Sequence, residues 1–325
     1  FNQPNINLNQ QVKLFKKHLY RLGSEKPSIY PTQTAISRPE PRQPLKAAIE
    51  SCELLGETHC GKKIYLYEFN GSSPILREIG RLREFAFRTV GEGTWSRRDL
   101  DEYDTWYMHL ILWDPDDLEI AGAYRLGDCR KIIQSKGRDG LYTNSFYRFE
   151  ESIKSIFEEG LELGRSFVQP RYWGKRSLEY LWVGIGALLR NHPHYRYLFG
   201  SVSISNALPK DAQAALVQFY SAHFPPVKPL ATANLPYQST QESTTPTFSG
   251  SNYSEEFSQL KTYLANIGVS IPTMYKQYSE LCEKGGVQFL TFGIDPDFNN
   301  SIDGLVLVDI HKLKEKKRKR YLEAR

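Results

Sequence analysis

Glu162-Leu163-Gly164-Arg165-Ser166-Phe167-Val168, followed by Gln169-Pro170-Arg171-Tyr172-Trp173-Gly174-Lys175-Arg176, decides how this chain is read. The first seven residues form a strand-like apolar run with one glutamate and one arginine set into it. Pro170 stops the run, and a basic loop with a single glycine follows. From Leu178 onward, Leu181, Trp182, Ile185, Leu188 and Leu189 recur at the spacing of a buried helix face. A strand, a cationic turn and a helix, in that order, hold a phosphorylated ligand at a helix N-terminus, where free amides and the helix dipole favour an anion.

Working outward, the elements alternate. Ile64–Phe69 reads as a strand closed by Asn70-Gly71, and a helix runs from Pro74 to near Gly91 with Ile75, Leu76, Ile79, Leu82 and Phe87 on one face. His109–Trp113, the turn Asp114-Pro115-Asp116-Asp117 and Glu119–Arg125 predict an antiparallel pair. Helices are expected over 152–159, 210–223, around 257–264 and over 274–282, and strands over 197–204, 286–292 and 305–309. Residues 1–50 read as a connector: a basic amphipathic helix (Leu14, Phe15, Leu19, Leu22) ending at Gly23, then a proline-rich linker. The polar stretch 227–252 reads as a loop or flexible insertion. One mixed α/β domain of α+β character is therefore expected over 51–325, a central mixed sheet flanked by helices.

Length and composition agree. The chain has 325 residues, with 40% hydrophobic and 24% charged residues, enough for a sizeable core. There is no apolar run long enough to cross a bilayer. The four cysteines (Cys52, Cys60, Cys129, Cys282) fit neither a zinc template nor a disulfide scaffold, which makes a reducing cytoplasmic setting the default. The first residue, Phe1, suggests a piece of a longer polypeptide. A net charge of +5 is mild, but Lys13, Lys16, Lys17 and Arg21 crowd one end and Lys312–Arg320 the other. Such ends suit an anionic membrane surface, an acidic carrier protein or nucleic acid, or are simply solvated.

Charged residues inside apolar strands carry the chemistry. At odd spacing, Glu162 and Arg165 face opposite sides of a regular strand unless a bulge near Gly164 re-aims one. A buried charge must be paired, so these residues are either a structural ion pair with Arg125 or Arg83, or a reaction centre. Asp99, Asp101 and Asp104 form an acidic loop beside Arg97 and Arg98. It either binds an ammonium group or orders neighbouring structure, and its spacing is not that of a calcium loop, so no metal is expected. Arg171, Gly174, Lys175 and Arg176 lie where the phosphate of a donor would bind. His109, at a strand start, reads as a satisfied structural histidine or a substrate contact.

The order Arg83, Phe87, Trp95, Asp99-x-Asp101-x-x-Asp104, Arg125, Glu162-x-x-Arg165 resembles the signature of acyl-homoserine-lactone synthases within the GNAT acyltransferase superfamily. The longer motifs Glu78–Arg83, Tyr103-Asp104…His109–Leu112, Ala123–Leu126, Glu162–Ser166 and Asp303–Asp309 resemble the ornithine-lipid N-acyltransferases, often labelled hemolysin-like. This resemblance covers about residues 55–320. It implies the GNAT fold and an acyltransferase that moves a (3-hydroxy)fatty acyl group from acyl carrier protein to the α-amine of an amino acid, ornithine first, giving a lyso-aminolipid. It implies no permanently bound cofactor, a donor presented on the phosphopantetheine of the carrier protein, and no nucleic-acid partner. It also implies a peripheral position on the cytoplasmic face of the membrane and an O-acyltransferase domain upstream in a fused polypeptide.

The residue roles follow from the same resemblance. Glu162 is expected to act as base, directly or through water, with Arg165 beside it. Arg83, Phe87, Trp95, Asp99, Asp101, Asp104, His109 and Arg125 would form the acceptor site, and Val168, Arg171, Gly174, Lys175 and Arg176 the donor site. Amides just after Val168 would stabilise the oxyanion. The GNAT turn ordinarily has a small residue where Arg176 stands, which favours a single phosphodiester over the pyrophosphate of coenzyme A. The alternatives are a signalling-lactone synthase and a non-catalytic membrane-associated module.

Overall fold

A computed structural model describes residues 7–30, 32–239 and 245–323. Eight strands form one sheet in the order β1 (Glu53–Glu57), β2 (Lys63–Glu68), β3 (Met108–Asp114), β4 (Glu119–Asp128), β6 (Gly160–Val168), β7 (Tyr197–Ile204), β10 (Ser301–Asp309), β9 (Val287–Asp295). The short strands β5 (Tyr147–Phe149) and β8 (Ala231–Ala233) pair apart from it. All neighbours in the large sheet are antiparallel except β6 and β7. The expected mixed sheet flanked by helices is what the chain forms.

Two apolar layers cover it. Helix α3 (Pro74–Thr89) starts where Ser73 Oγ accepts from the Ile75 amide at 3.1 Å and Pro74 occupies the first turn. It buries Ile75, Ile79 and Leu82 against Ile111, Trp113, Ala123 and Phe167 on one face of the sheet. The other face carries α6 (Ser177–Asn191) and, with α7 (Lys210–His223), α8 (Tyr253–Asn266) and α9 (Thr273–Ser279), a larger core around Leu181, Ile185, Phe219 and Leu260.

The parallel pair matters most. β6 and β7 are in register only from Gly160–Tyr197 to Glu162–Phe199. Beyond that rung β6 stays with β4 and β7 with β10. At the point of parting, the Leu163 carbonyl lies so close to Gly200 that a Cβ there would be 1.9 Å from the oxygen. Only glycine allows this approach.

Three segments depart from the sequence reading. The connector to residue 50 ends in a helix, α2 (Arg42–Glu50), whose Leu45 and Ile49 are buried with the face of α3, so the packed core starts before residue 51. Its proline content hid a helix that begins directly after Pro41. The stretch 227–252 is not merely a loop: β8 lies in it, and Leu230 and Phe248 are buried, although residues 240–244 of that expectation fall outside the described residues. A three-residue strand, Ala-Thr-Ala, carries too little pattern to be seen. The basic C-terminal end also packs: Tyr321 is buried against Gly186 of α6, and its carbonyl accepts from Arg190 Nη1 at 2.9 Å.

Candidate active site

The bulge is real and is centred on Arg165. Pairing with β4 runs from Arg125–Gly164 directly to Ala123–Phe167, so Arg165 and Ser166 stand opposite the single residue Tyr124. Arg165 has φ +48°, a left-handed conformation that a non-glycine residue adopts only where its surroundings enforce it. The extra residue turns Arg165 onto the face that already holds Arg125 and Glu162. Both guanidinium groups lie over the Tyr142 ring, at 4.7 Å for Arg125 and 4.9 Å for Arg165.

Beneath that ring the aspartate loop forms a buried ionic network. Arg83 Nη1 and Nη2 donate to the two Asp104 carboxylate oxygens at 3.0 and 2.8 Å, and Nε donates to Asp99 at 3.1 Å. Arg125 Nη1 donates to Asp101 at 2.6 Å and to Asp104 at 3.2 Å. Arg165 approaches Asp99 and Asp101 at 3.9 and 3.7 Å. Three arginines thus balance three aspartates, which offsets a desolvation cost of roughly several kcal/mol per ion. Burial would raise the Asp104 carboxyl, but Arg83 and Arg125 hold it far below the usual carboxylate range. His109 Nε2 meets the Asp104 carbonyl at 3.0 Å, and burial pushes its pKa down to about 4 despite the nearby Asp104 carboxylate. The loop's charges are therefore spent on ordering α3 and β4. Trp95 is partly exposed, with Arg88 5.4 Å from its ring, and takes no part in the network.

Glu162 is buried with both oxygens occupied: Oε1 accepts from the Thr143 amide at 2.7 Å, and Oε2 accepts from the Tyr107 hydroxyl. Burial raises its carboxyl, and the bonds from Tyr107 and Thr143 counter that. It faces neither a solvent path nor the cavity described next. The base role expected for Glu162, direct or through water, therefore has no contact of its own with the cavity. Its direct partners are not Arg125 or Arg83 either.

Where β6 and β7 part, a cavity of about 720 Å³ crosses the sheet. On the face of α6 it is lined by Tyr124, Val168, Leu178, Val202, Met274 and Tyr278 and reaches the turn Trp173-Gly174-Lys175. On the opposite face it is lined by Phe87, Tyr142, Arg165 and Phe298 together with Glu92, Asp295 and Asp303. Ser201 and Ser203 complete that wall.

Of the expected donor residues, Val168, Gly174 and Lys175 line the cavity. Arg171 is engaged by Glu119 and Asp117 at 2.8 Å each, and Arg176 by Glu179 at 2.9 and 2.7 Å. Their charges are largely neutralised in place. The amide of Gln169, just after Val168, is bonded to the Ala121 carbonyl at 2.9 Å and is not free for an oxyanion.

In the sequence Asp303 stands out only as part of the Asp303–Asp309 motif, and Glu92 and Asp295 carry no pattern that marks them. Burial, reinforced by Asp295 and Glu92, pushes Asp303 up to about 8, with Arg165 opposing. Burial carries Glu92 to about 7, with the Ser203 hydroxyl opposing. Asp295 is raised by burial while Arg165 and the amides of Asp297 and Phe298 pull it back. The one available signal was Asp303 itself, a charge at the head of an unbroken apolar strand.

A family model described as an acetyltransferase (GNAT) domain matches residues 82–183, from α3 through β6 into α6. A glycine N(alpha)-acyltransferase of Bacteroides thetaiotaomicron is 30% identical over 304 residues, covering 89% of this chain and 89% of that protein. The chain belongs to the GNAT-type amino-acid N(alpha)-acyltransferases. An L-ornithine N(alpha)-acyltransferase of Brucella abortus is 32% identical over 44% of this chain and 60% of its own length. The AHL synthase LasI aligns over 83% of this chain and 97% of its own, at 9% identity and a TM-score of 0.40.

Within this acyltransferase, the described residues contain no group of three or more His, Cys, Asp or Glu side chains arranged to hold a metal ion. No described helix is long and apolar enough to cross a membrane.

Proposed function

We propose that this acyltransferase moves a (3-hydroxy)fatty acyl group from the phosphopantetheine arm of an acyl carrier protein to the α-amine of glycine, giving an N-acylglycine lyso-lipid. The observation that carries this reading is the cavity between β6 and β7, apolar on the α6 face and charged on the other. A thioester arm entering past Gly174 and Lys175 lays its acyl chain against Tyr124, Val202, Met274 and Tyr278. Its carbonyl then reaches the bulge at Arg165 and Ser166, where the regular pairing is interrupted. The acceptor enters from the charged face, and Arg165 meets its carboxylate with a planar fork suited to that shape.

Carrier protein rather than coenzyme A is supported by the bulky Arg176 at the turn and by the pairing of Arg171 and Arg176 with carboxylates, which leaves Lys175 as the turn's cation at the cavity. Glycine rather than ornithine is supported by the extent of the relatives. The protein named for glycine matches across 89% of this chain, whereas the match to the Brucella protein named for ornithine covers 44%. Expression in a bacterial host lacking aminolipids, followed by lipid mass spectrometry, tests the reading. New N-acylglycine is expected. N-acylornithine would move the acceptor, and no new N-acyl amino acid would overturn the function.

The membrane is where such a product belongs. Helix α1 (Leu8–Gly23) exposes Leu8, Val12, Leu19 and Leu22, with Lys13, Lys16, Lys17 and Arg21 on the same short helix. Such a helix adsorbs to an anionic interface by its apolar face and its charge. Sedimentation with phosphatidylglycerol-containing vesicles, against pure phosphatidylcholine ones, is expected to show the difference. Equal binding to both would remove the electrostatic part.

A further inference from the structure

We propose that Asp303 is the catalytic residue that takes the proton from the acceptor's α-ammonium, paired across the cavity with Arg165, which holds the acceptor's carboxylate. The proposal rests on the transfer reaction proposed above and adds the atom that activates the nucleophile.

Amino-acid acceptors set the geometry. The ammonium and carboxylate of an α-amino acid hang from one carbon, so a cation for the carboxylate and a base for the nitrogen must converge on one small space. Arg165 of β6 and Asp303 of β10 do this: both line the charged end of the cavity, and the guanidinium is close enough to oppose the protonation of the carboxyl. β7 lies between their strands and contributes Ser201 beside Asp303. Because β10 is paired on both sides, Asp303 with Ser203 of β7 and Gly293 of β9, the carboxylate is held on a rigid element.

The other acids fit less well. Glu162 has no exposure to the cavity and both of its oxygens are bonded. Asp295 Oδ1 caps the turn at Asp297 and Phe298, at 2.9 and 3.1 Å. Glu92 follows α3 on a loop beside Ser203, and Arg165 is not among the groups that set its charge. Six charged or titratable groups act on Asp303 besides the Ser201 hydroxyl: Arg165 from β6, Asp295 from the end of β9, Glu92, and the hydroxyls of Tyr142, Tyr147 and Tyr275. Burial and the two neighbouring acids bring its pKa to about 8, close to that of an amine, as proton transfer between them requires.

The step balances. The ammonium nitrogen gives one proton to Asp303, and its lone pair forms the C–N bond to the thioester carbonyl carbon. Collapse of the tetrahedral intermediate breaks the C–S bond, and the sulfur leaves with the electron pair. The nitrogen loses a second proton, the thiolate takes one up to become the pantetheine thiol, and Asp303 releases the other to solvent.

The experiment uses the full chain with 3-hydroxyacyl carrier protein and glycine, reading N-acylglycine by mass spectrometry across pH 6 to about 10, a range chosen to bracket the amine. For Asp303→Asn, kcat is expected to fall about 100-fold or more. The rising limb of the wild-type pH profile should be replaced by one that follows the free amine alone, and Asp303→Glu should recover part of the rate. Glu92→Gln removes a like charge from beside Asp303 and should move the limb to lower pH, which keeps the idea testable if Asp303→Asn does not fold. Retention of a third of wild-type kcat by folded Asp303→Asn, or an unmoved limb in Glu92→Gln, would overturn the assignment to Asp303. A wild-type chain that acylates no amino acid would instead overturn the transfer reading, and this proposal with it.

Discussion

Arg125 and Arg165 lie against the same ring, that of Tyr142, yet only Arg125 is closed in by short ionic bonds. Its Nη1 is 2.6 Å from Asp101 and 3.2 Å from Asp104, while Arg165 comes no nearer than 3.7 Å to an aspartate oxygen. Nε and Nη2 of Arg125 also lack partners, but Arg125 does not line the cavity and Arg165 does, so the first is a structural cation and the second can meet a ligand. Arg125→Ala leaves buried aspartates short of a partner and is expected to cost about 3–5 kcal/mol of stability. Arg165→Ala should cost less than half of that and instead raise KM for the acceptor about tenfold or more, the loss of roughly 1.4 kcal/mol of binding. Denaturant melts beside acceptor titrations check both. Equal stability losses with unchanged KM would remove the distinction.

Glu162 and Tyr107 test the complementary point. The Tyr107 hydroxyl accepts from the Tyr142 amide at 2.8 Å and donates to Glu162, and the Thr143 amide occupies the other carboxylate oxygen. Glu162→Gln offers one acceptor where two donors converge. The Thr143 N–H cannot reverse its role, so the Tyr107 proton loses its partner, at about 1–3 kcal/mol. Stability should drop measurably, while turnover falls by less than the Asp303→Asn loss. A turnover loss as large as that of Asp303→Asn, at wild-type stability, would return the base role to Glu162.

Much of this is legible in the sequence, and the division has a physical logic. Strong periodicity gave α3, α6, α7 and the strand at β7, because each buries a continuous face. The bulge was foreseen as a condition, since Glu162 and Arg165 at odd spacing could share a face only through one. Which charges are satisfied and which are free was not legible. That depends on Tyr142, Thr143 and Tyr107, which belong to short turns between elements with no pattern of their own. Of the acids, Asp295 and Asp303 come from one hairpin and Glu92 from the loop after α3, and one sequence holds no signal that Glu92 meets the other two. α2 escaped because Pro41 and Pro44 lie at its start, and β8 because three residues carry no pattern.

His109 gives the fold an acid limit. Its folded-state pKa is depressed to about 4, from about 6.5 in an unfolded chain. Below the unfolded value the unfolded state takes up a proton that the native state refuses, so this contribution is present above about pH 6.5 and is lost as pH falls toward 4. The full difference amounts to about 3 kcal/mol, an upper bound for one group. His109→Gln keeps a donor for the Asp104 carbonyl but does not titrate. The stability difference between the two proteins should therefore change across this window and stay flat above pH 7. A parallel pair of curves from pH 7 to 4 would rule the histidine out.

Gly200 offers a direct way to alter the opening between β6 and β7. An alanine there brings its Cβ to 1.9 Å from the Leu163 carbonyl oxygen and 3.0 Å from the carbonyl carbon. Both are backbone atoms, so no side chain can swing away and the strands themselves must move. The move falls next to Glu162–Phe199, the last paired rung before the cavity. The entropy gained by replacing glycine is at most about 1 kcal/mol, whereas overpacking a fixed interior costs about 1–3 kcal/mol, so the net effect is destabilising. Activity should fall further than stability, because the displacement separates Arg165 from the Ser201 and Asp303 wall. Gly164→Ala is the control for stability alone, since Gly164 lines the cavity: nothing lies within 4 Å of a Cβ built there, and its stability should match wild type within about 0.5 kcal/mol. If Gly200→Ala were as stable as Gly164→Ala and as active as wild type, the close crossing of the two strands would not be what holds the cavity open.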